Sequence, residues 1–328
     1  MKRASATLLL LLASFGIALS SSAQLGGFES LSLTLSPEYP RPYQSVTVIP
    51  QSSSIDLAAS SVRATVNGVV VSQGSGAEPI YVTLGGPGSV TTVSVTATYQ
   101  GQTYQKTLTI RPADVALVIE PVSTSHPFYK GGALVSAEGR LRIIALPDLR
   151  SGNGAVIPAD QLVYTWRNGE QVLQAASGIG KSTLTATAPV RYRDARISVT
   201  VTSQDRSVVG EATTTIAPAD PLVRVYRNDP LLGPRFGTAL PRRVTLDGTE
   251  ETFRAIPYYF AEKPLITWQV NSVPSDNDPD ITVRTTGAGS GRALLGVAAR
   301  ADGAPQSAAT SFEVDFSAGD RGFDFFGL

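Results

Sequence analysis

A six-residue stretch, Thr109-Ile110-Arg111-Pro112-Ala113-Asp114, returns later in the chain as Thr215-Ile216-Ala217-Pro218-Ala219-Asp220. Each copy closes one alternating polar/apolar run and opens another: Val115, Leu117 and Ile119 after the first, Val223 and Val225 after the second. Proline has no amide to give to a sheet ladder, so a Pro between two strand-like runs reads as a join. A repeated join means repeated units. The 328 residues then divide into a leader over 1–23, units over 24–113, 114–219 and 220–317, and a tail over 318–328. Each unit is long enough to bury a core of its own.

Period-two alternation recurs throughout. In the first unit Leu31, Leu33 and Leu35 alternate with polar neighbours, as do Val46 and Val48. Asn67-Gly68, between Val66 and Val69, is a two-residue hairpin signal. Val93, Val95 and Ala97 face one way, and Gln100-Gly101 turns the chain back through Tyr104, Leu108 and Ile110. The second unit repeats the plan with Leu141, Ile143 and Ala145, then Leu162, Tyr164 and Trp166, then Ile197, Val199 and Val201, and closes on Ala212, Thr214 and Ile216. The third has Ile266, Trp268 and Val270, then Phe312, Val314 and Phe316, with a long polar stretch, Ser272 to Asp280, expected in place of the tight turn. No segment after the leader sustains a 3.6-residue period, and parallel sheets would need crossover helices. The fold class is all-β.

Trp166-Arg167-Asn168-Gly169-Glu170, then Ser182-Thr183-Leu184-Thr185, then Asp194-Ala195 before Ile197 and Val199, resembles the C, E and F strands of immunoglobulin-like domains. Bacterial immunoglobulin-like and PKD-like surface modules share this pattern without cysteines. The resemblance implies tandem β-sandwiches in which Trp166, and by analogy Trp268, packs between two sheets. It also implies that Val199 stands where antibody-type domains carry a cysteine, and Ile197 where they carry a tyrosine.

Lys2-Arg3, an apolar run from Leu8 to Leu19 and the small residues Ser21-Ser22-Ala23 form a signal-peptide pattern with cleavage expected before Gln24. Left uncleaved, the same run would be an anchor. The expected location is therefore periplasmic, cell-surface or extracellular, with no membrane span after removal of the leader. Basic and acidic residues balance at 27 each, and loss of Lys2 and Arg3 leaves 25 against 27. Such a balance is no footprint for nucleic acid. There is no cysteine, so an exported chain of this kind must rely on its apolar cores.

Few residues point to chemistry. Ala175 to Ser182 fits a loosened phosphate-loop pattern, but the β-branched run after Lys181 and Pro189 makes a strand where a nucleotide site needs a helix. No nucleotide is expected. Asp276, Asp278 and Asp280 gather carboxylates suited to calcium, although Ile281 and Gly287 break the EF-hand spacing. Otherwise no cofactor is expected. His126, the sole histidine, reads as an exposed loop residue, and a zinc site would want further His or Cys ligands. Tyr39, Tyr43, Tyr258, Tyr259 and Phe260 lie near strand ends, where rings can stack on sugars, anchor a protein partner or cap the core.

The tail carries Phe323, Phe325, Phe326 and Leu328, an apolar set unusual for a free end. It reads either as folding back on the third unit or as a docking peptide for a partner's groove. The sequence therefore points to a non-enzymatic array for structure, adhesion or assembly, with a protein or glycan partner at the cell envelope. A carbohydrate-binding accessory and an enzyme with a carboxylate site assembled in space are the alternatives.

Overall fold

Seven strands make up the first unit: β1 (Ser32–Ser36), β2 (Ser45–Gln51), β3 (Ser61–Val66), β4 (Val69–Ser75), β5 (Ile80–Thr83), β6 (Thr91–Tyr99) and β7 (Gln102–Ile110). They form two sheets, ordered β1-β2-β5 and β4-β3-β6-β7. The computed structural model describes residues 31–127, 129–246, 248–285, 289–303 and 305–317. The signal-peptide reading over 1–23 and the docking residues Phe323, Phe325, Phe326 and Leu328 lie outside the described residues.

The second unit repeats the order with β8 (Asp114–Pro121), β9 (Arg140–Asp148), β10 (Val163–Asn168), β11 (Gln171–Val172), β12 (Gly178–Ile179), β13 (Thr183–Thr187), β14 (Ala195–Thr202) and β15 (Val209–Ile216). Its sheets are β13-β9-β8 and β11-β10-β14-β15, with β12 pairing to β10. The third has β16 (Leu222–Asp229), β17 (Gly233–Pro234), β18 (Arg243–Thr245), β19 (Glu250–Tyr258), β20 (Leu265–Val270), β21 (Val273–Pro274), β22 (Asp280–Arg284), β23 (Ser290–Arg300) and β24 (Ser307–Ser317). Its sheets run β17-β16-β19-β22 and β18-β24-β23-β20-β21.

In every unit the first, second and fifth principal strands share one sheet, and the third, fourth, sixth and seventh the other. That is the A-B-E and C′-C-F-G arrangement. These are immunoglobulin-like sandwiches. Alternation explains the packing: β6 buries Thr91, Val93, Val95 and Ala97 and turns Thr92, Ser94 and Thr96 outward. Three apolar clusters result, drawn from Leu31 to Ile110, Ala113 to Ile216 and Val223 to Val314.

Trp166 and Trp268 are fully buried, each opposite an F-strand valine, Val199 and Val297. The indole Nε1 of Trp166 donates to the Lys181 carbonyl and that of Trp268 to the Asp278 carbonyl, both at 2.9 Å. Each acceptor lies two residues before its E strand, so both rings are held by the same connection. In the first unit Ala64 takes this place, opposite Val95.

Two sequence expectations change. Asn271-Ser272 forms a tight two-residue turn between β20 and β21, with φ of 51° and 68°. The polar stretch follows that turn and does not replace it, because Asn271 tolerates the left-handed conformation a short hairpin needs. The second concerns strand direction: β18 pairs with β24 in parallel. No crossover helix is required, since the chain leaving β16 and β17 passes to the other sheet and joins its edge as β18.

Candidate functional site

The repeated motif does the same work at both joins. The Ala113 amide donates to the Pro40 carbonyl at 3.2 Å, and the Ala219 amide to the Val135 carbonyl at 2.7 Å. Both acceptors sit in the connection between the first two strands of the unit just left. Asp114 pairs with Arg41 at 3.5 Å, and Asp220 with Arg191 at 2.6 Å. The two joins diverge in the length of that connection, which covers 37–44 in the first unit and 122–139 in the second.

The longer connection reaches into the third unit and pairs with it as strands do. Thr124 donates its amide to the Phe260 carbonyl at 2.9 Å, and its own carbonyl accepts from the Tyr259 amide at 2.8 Å. The Phe260 amide also donates to Thr124 Oγ1 at 3.0 Å. Farther along, Gln306 Nε2 donates to Ser136 Oγ at 2.8 Å and to the Ala137 carbonyl. Gln306 is 4% exposed, so these bonds are shielded from water.

Rings fill the centre of this joint. His126 stacks on Phe236 with centroids 4.1 Å apart and meets Tyr129 and Tyr258 edge-on. Tyr129 and Tyr259 share a hydroxyl hydrogen bond of 2.7 Å, and Tyr226 and Tyr258 one of 2.8 Å. Burial, then the bond to Tyr129, pushes the Tyr259 phenol up to about 12. Burial and then the hydrogen bond shared with Tyr226 raise Tyr258 as well. A buried phenol whose proton is held by a partner resists ionisation because the anion would lack water and would give up the hydrogen bond its proton makes.

Several sequence readings are corrected here. His126 is a buried joint residue, 9% exposed, because the long connection folds it against Phe236. Of the alternatives for Tyr258, Tyr259 and Phe260, burial holds: Phe260 lies in the third core and the tyrosines in the joint. Tyr43 does stand out, at 72% exposed, and Tyr39 is half-buried.

The aspartates are bound up with the sandwich. Asp280 accepts from Nε and Nη2 of Arg254, at 2.8 and 2.6 Å, and from the side-chain amide of Asn228. The Asp276 and Asp278 carbonyls accept from the Trp268 amide and indole. Among the described residues no group of three or more His, Cys, Asp or Glu side chains converges on a metal position. The stretch from Ala175 to Ser182 begins in a short 3-10 turn (Gln174–Ala176), holds β12 and runs into β13, so a strand and not a helix follows Lys181, an exposed loop residue.

A feature with no sequence signal is a groove of about 640 Å³ in the second unit, at the end facing the third. Its floor is Leu141, Ile143, Ile197 and Ile216, and its rims are β11 and β13. Both rims are edge strands, paired on one side only. The groove exists because β11 is two residues long and leaves the space between the sheets uncovered.

No family model matches the chain, and no curated protein matches it. Solved structures similar to it include three N-terminal domains of the highly immunogenic outer capsid protein of bacteriophage RB49, at 10% identity over 88% of this chain and 98% of that one, TM-score 0.26. Immunoglobulin domains 1–5 of Sidekick-1 match at 12% identity over 85% of this chain and 56% of that one, TM-score 0.31. The central fibronectin-III array of RIM-binding protein matches at 13% over 87% and 95%, TM-score 0.30. Among the described residues no helix is long and apolar enough to cross a membrane, which leaves β-barrels unaddressed.

Proposed function

We propose that the chain is a non-enzymatic, exported module for structure, adhesion or assembly at the cell envelope, built to hold its second and third units in fixed relation. The observation that carries this reading is the joint: backbone pairing at Thr124, the Gln306 bonds and the stacked rings all cross between two units. Interfaces inside a chain that are small and wet permit relative motion by default. This one is ordered and buried. Carboxylates across the sheets are committed to arginines, as in Arg142–Glu120, Arg243–Glu313 and Arg292–Asp315, which supports a mechanical use of charge over a catalytic one. The glycan reading loses Tyr258, Tyr259 and Phe260 as contact rings, so a protein partner is the better supported.

Spin labels at exposed positions of the second and third units test the reading. A single narrow distance distribution is expected. A broad one would remove the basis for a rigid module, and selective binding on a glycan array would favour the carbohydrate alternative.

A further inference from the structure

The groove of the second unit is not lined by the residues of the joint, and the aromatic tail lies outside the described residues. We infer that the groove receives the Phe323-Asp324-Phe325-Phe326 segment of a second copy of this chain, which adds to the edge strand β13. The inference rests on the assembly reading above and names its partner.

The chemistry of the fit is direct. No charged side chain lines the groove, and its floor is aliphatic. In an extended segment alternate residues face opposite ways, so Phe323 and Phe325 point together into the groove and Asp324 points to water. An apolar cavity needs on the order of 150 Å³ to take one benzene-sized ring. The groove's volume of about 640 Å³ therefore admits two rings with room for their stems. Backbone groups along the open side of β13 can pair with the incoming segment, as in other cases of strand addition.

Reach decides that the donor is another molecule. Strand β24 starts beside the joint, since Gln306, the residue before it, bonds Ser136 and Ala137 of the second unit. Its 11 residues then carry the chain away from the groove. At about 3.3 Å per residue that is about 33 Å. Phe323 lies six residues past Ser317 and can return at most about 20 Å, and Phe325 about 28 Å. Neither gets back to its own groove. Tail to groove between copies is a head-to-tail contact, which propagates into open chains unless the rotation closes a ring.

Sedimentation velocity on the full chain, from micromolar to near-millimolar concentration, tests this. Concentration-dependent species larger than a monomer are expected. Replacing Phe323, Phe325 and Phe326 together by Ala should weaken association by about 100-fold or more without moving the melting temperature. Ala175→Glu, on the exposed rim of the groove, should weaken it too, and a synthetic peptide of residues 318–328 should compete. A wild-type chain that stays monomeric throughout overturns the inference, as does a triple variant that assembles like the wild type. The spin-label distances between units two and three are read within one molecule, so the rigid-module reading can stand while tail docking fails.

Discussion

The two joins of this molecule carry the same motif and behave differently. At the first, the Ala113 amide is tied back to Pro40 of the same unit, the exposed Arg41–Asp114 pair crosses between units, and Gly88 lets its loop approach the next unit. A Cβ on Gly88, whose φ is +80°, would meet Arg150 Cδ at 3.1 Å and Gly154 Cα at 3.2 Å. At the second join the same amide bond and ion pair recur, but Thr124, Ser136, Gln306 and a cluster of rings are added. The two copies of the repeat therefore make matching contacts. How tightly the units are coupled is set by the neighbouring loop, which is free to lengthen because it is not part of either sheet.

Coupled unfolding is the largest expected consequence. Trp166→Ala should destabilise the second unit by about 3–5 kcal/mol through the cavity it leaves. Calorimetry should show the third unit's transition shifting with the second, while the first unit's transition stays in place. Three independent transitions, with only one displaced, would break the contrast between the joins.

Gln306→Ala probes the second joint itself. It removes the donor shared by Ser136 Oγ and the Ala137 carbonyl and the acceptor of the Ala261 amide, so a loss of about 1–3 kcal/mol is expected. Denaturant unfolding should also separate the second and third units into two steps. A loss within experimental error would mean that the rings alone hold the joint.

The tyrosines give a pH signature of smaller size. Tyr259 is raised from the usual 10 to about 12, so its contribution is complete below pH 10 and disappears as pH rises through about 12. Spectroscopic titration should find a late-ionising phenol, and spin-label distances across the second joint should broaden in that window. Tyr129→Phe removes the bond to Tyr259 and should cost about 1 kcal/mol while moving the late phenol toward its ordinary range. Distances across the first join should not respond.

Arg41→Ala is expected to do least. Both partners of the Arg41–Asp114 pair are more than half exposed, and pairs of that kind contribute about 0–1 kcal/mol. A clear loss of coupling between units one and two on this substitution would show that the first join is stronger than its contacts indicate.

The sequence by itself determined the strands and the faces they bury. Residues such as Val93, Val95 and Ala97 or Tyr164 and Trp166 alternate with polar neighbours, and period-two patterning acts through nearest neighbours that can be read locally. The turn at Asn67-Gly68 was legible for the same reason, with φ of 49° and 81° as that dipeptide favours. Asn271-Ser272 was missed because serine is a weaker turn signal. Of the candidate site residues, Asp276, Asp278 and Asp280 drew notice by their density, whereas their carbonyls and carboxylates serve Trp268 and Arg254.

Only the tertiary structure decided what His126, Tyr258 and Tyr259 do and where the groove lies. Ser136 and Gln306 are 170 residues apart in sequence, and Thr124 and Phe260 are 136 apart. Contacts at that separation leave no periodic trace, since each partner satisfies its local pattern as an ordinary loop or strand-end residue. The groove is set by a strand too short to cover the space between two sheets, and that space exists only once both sheets are packed.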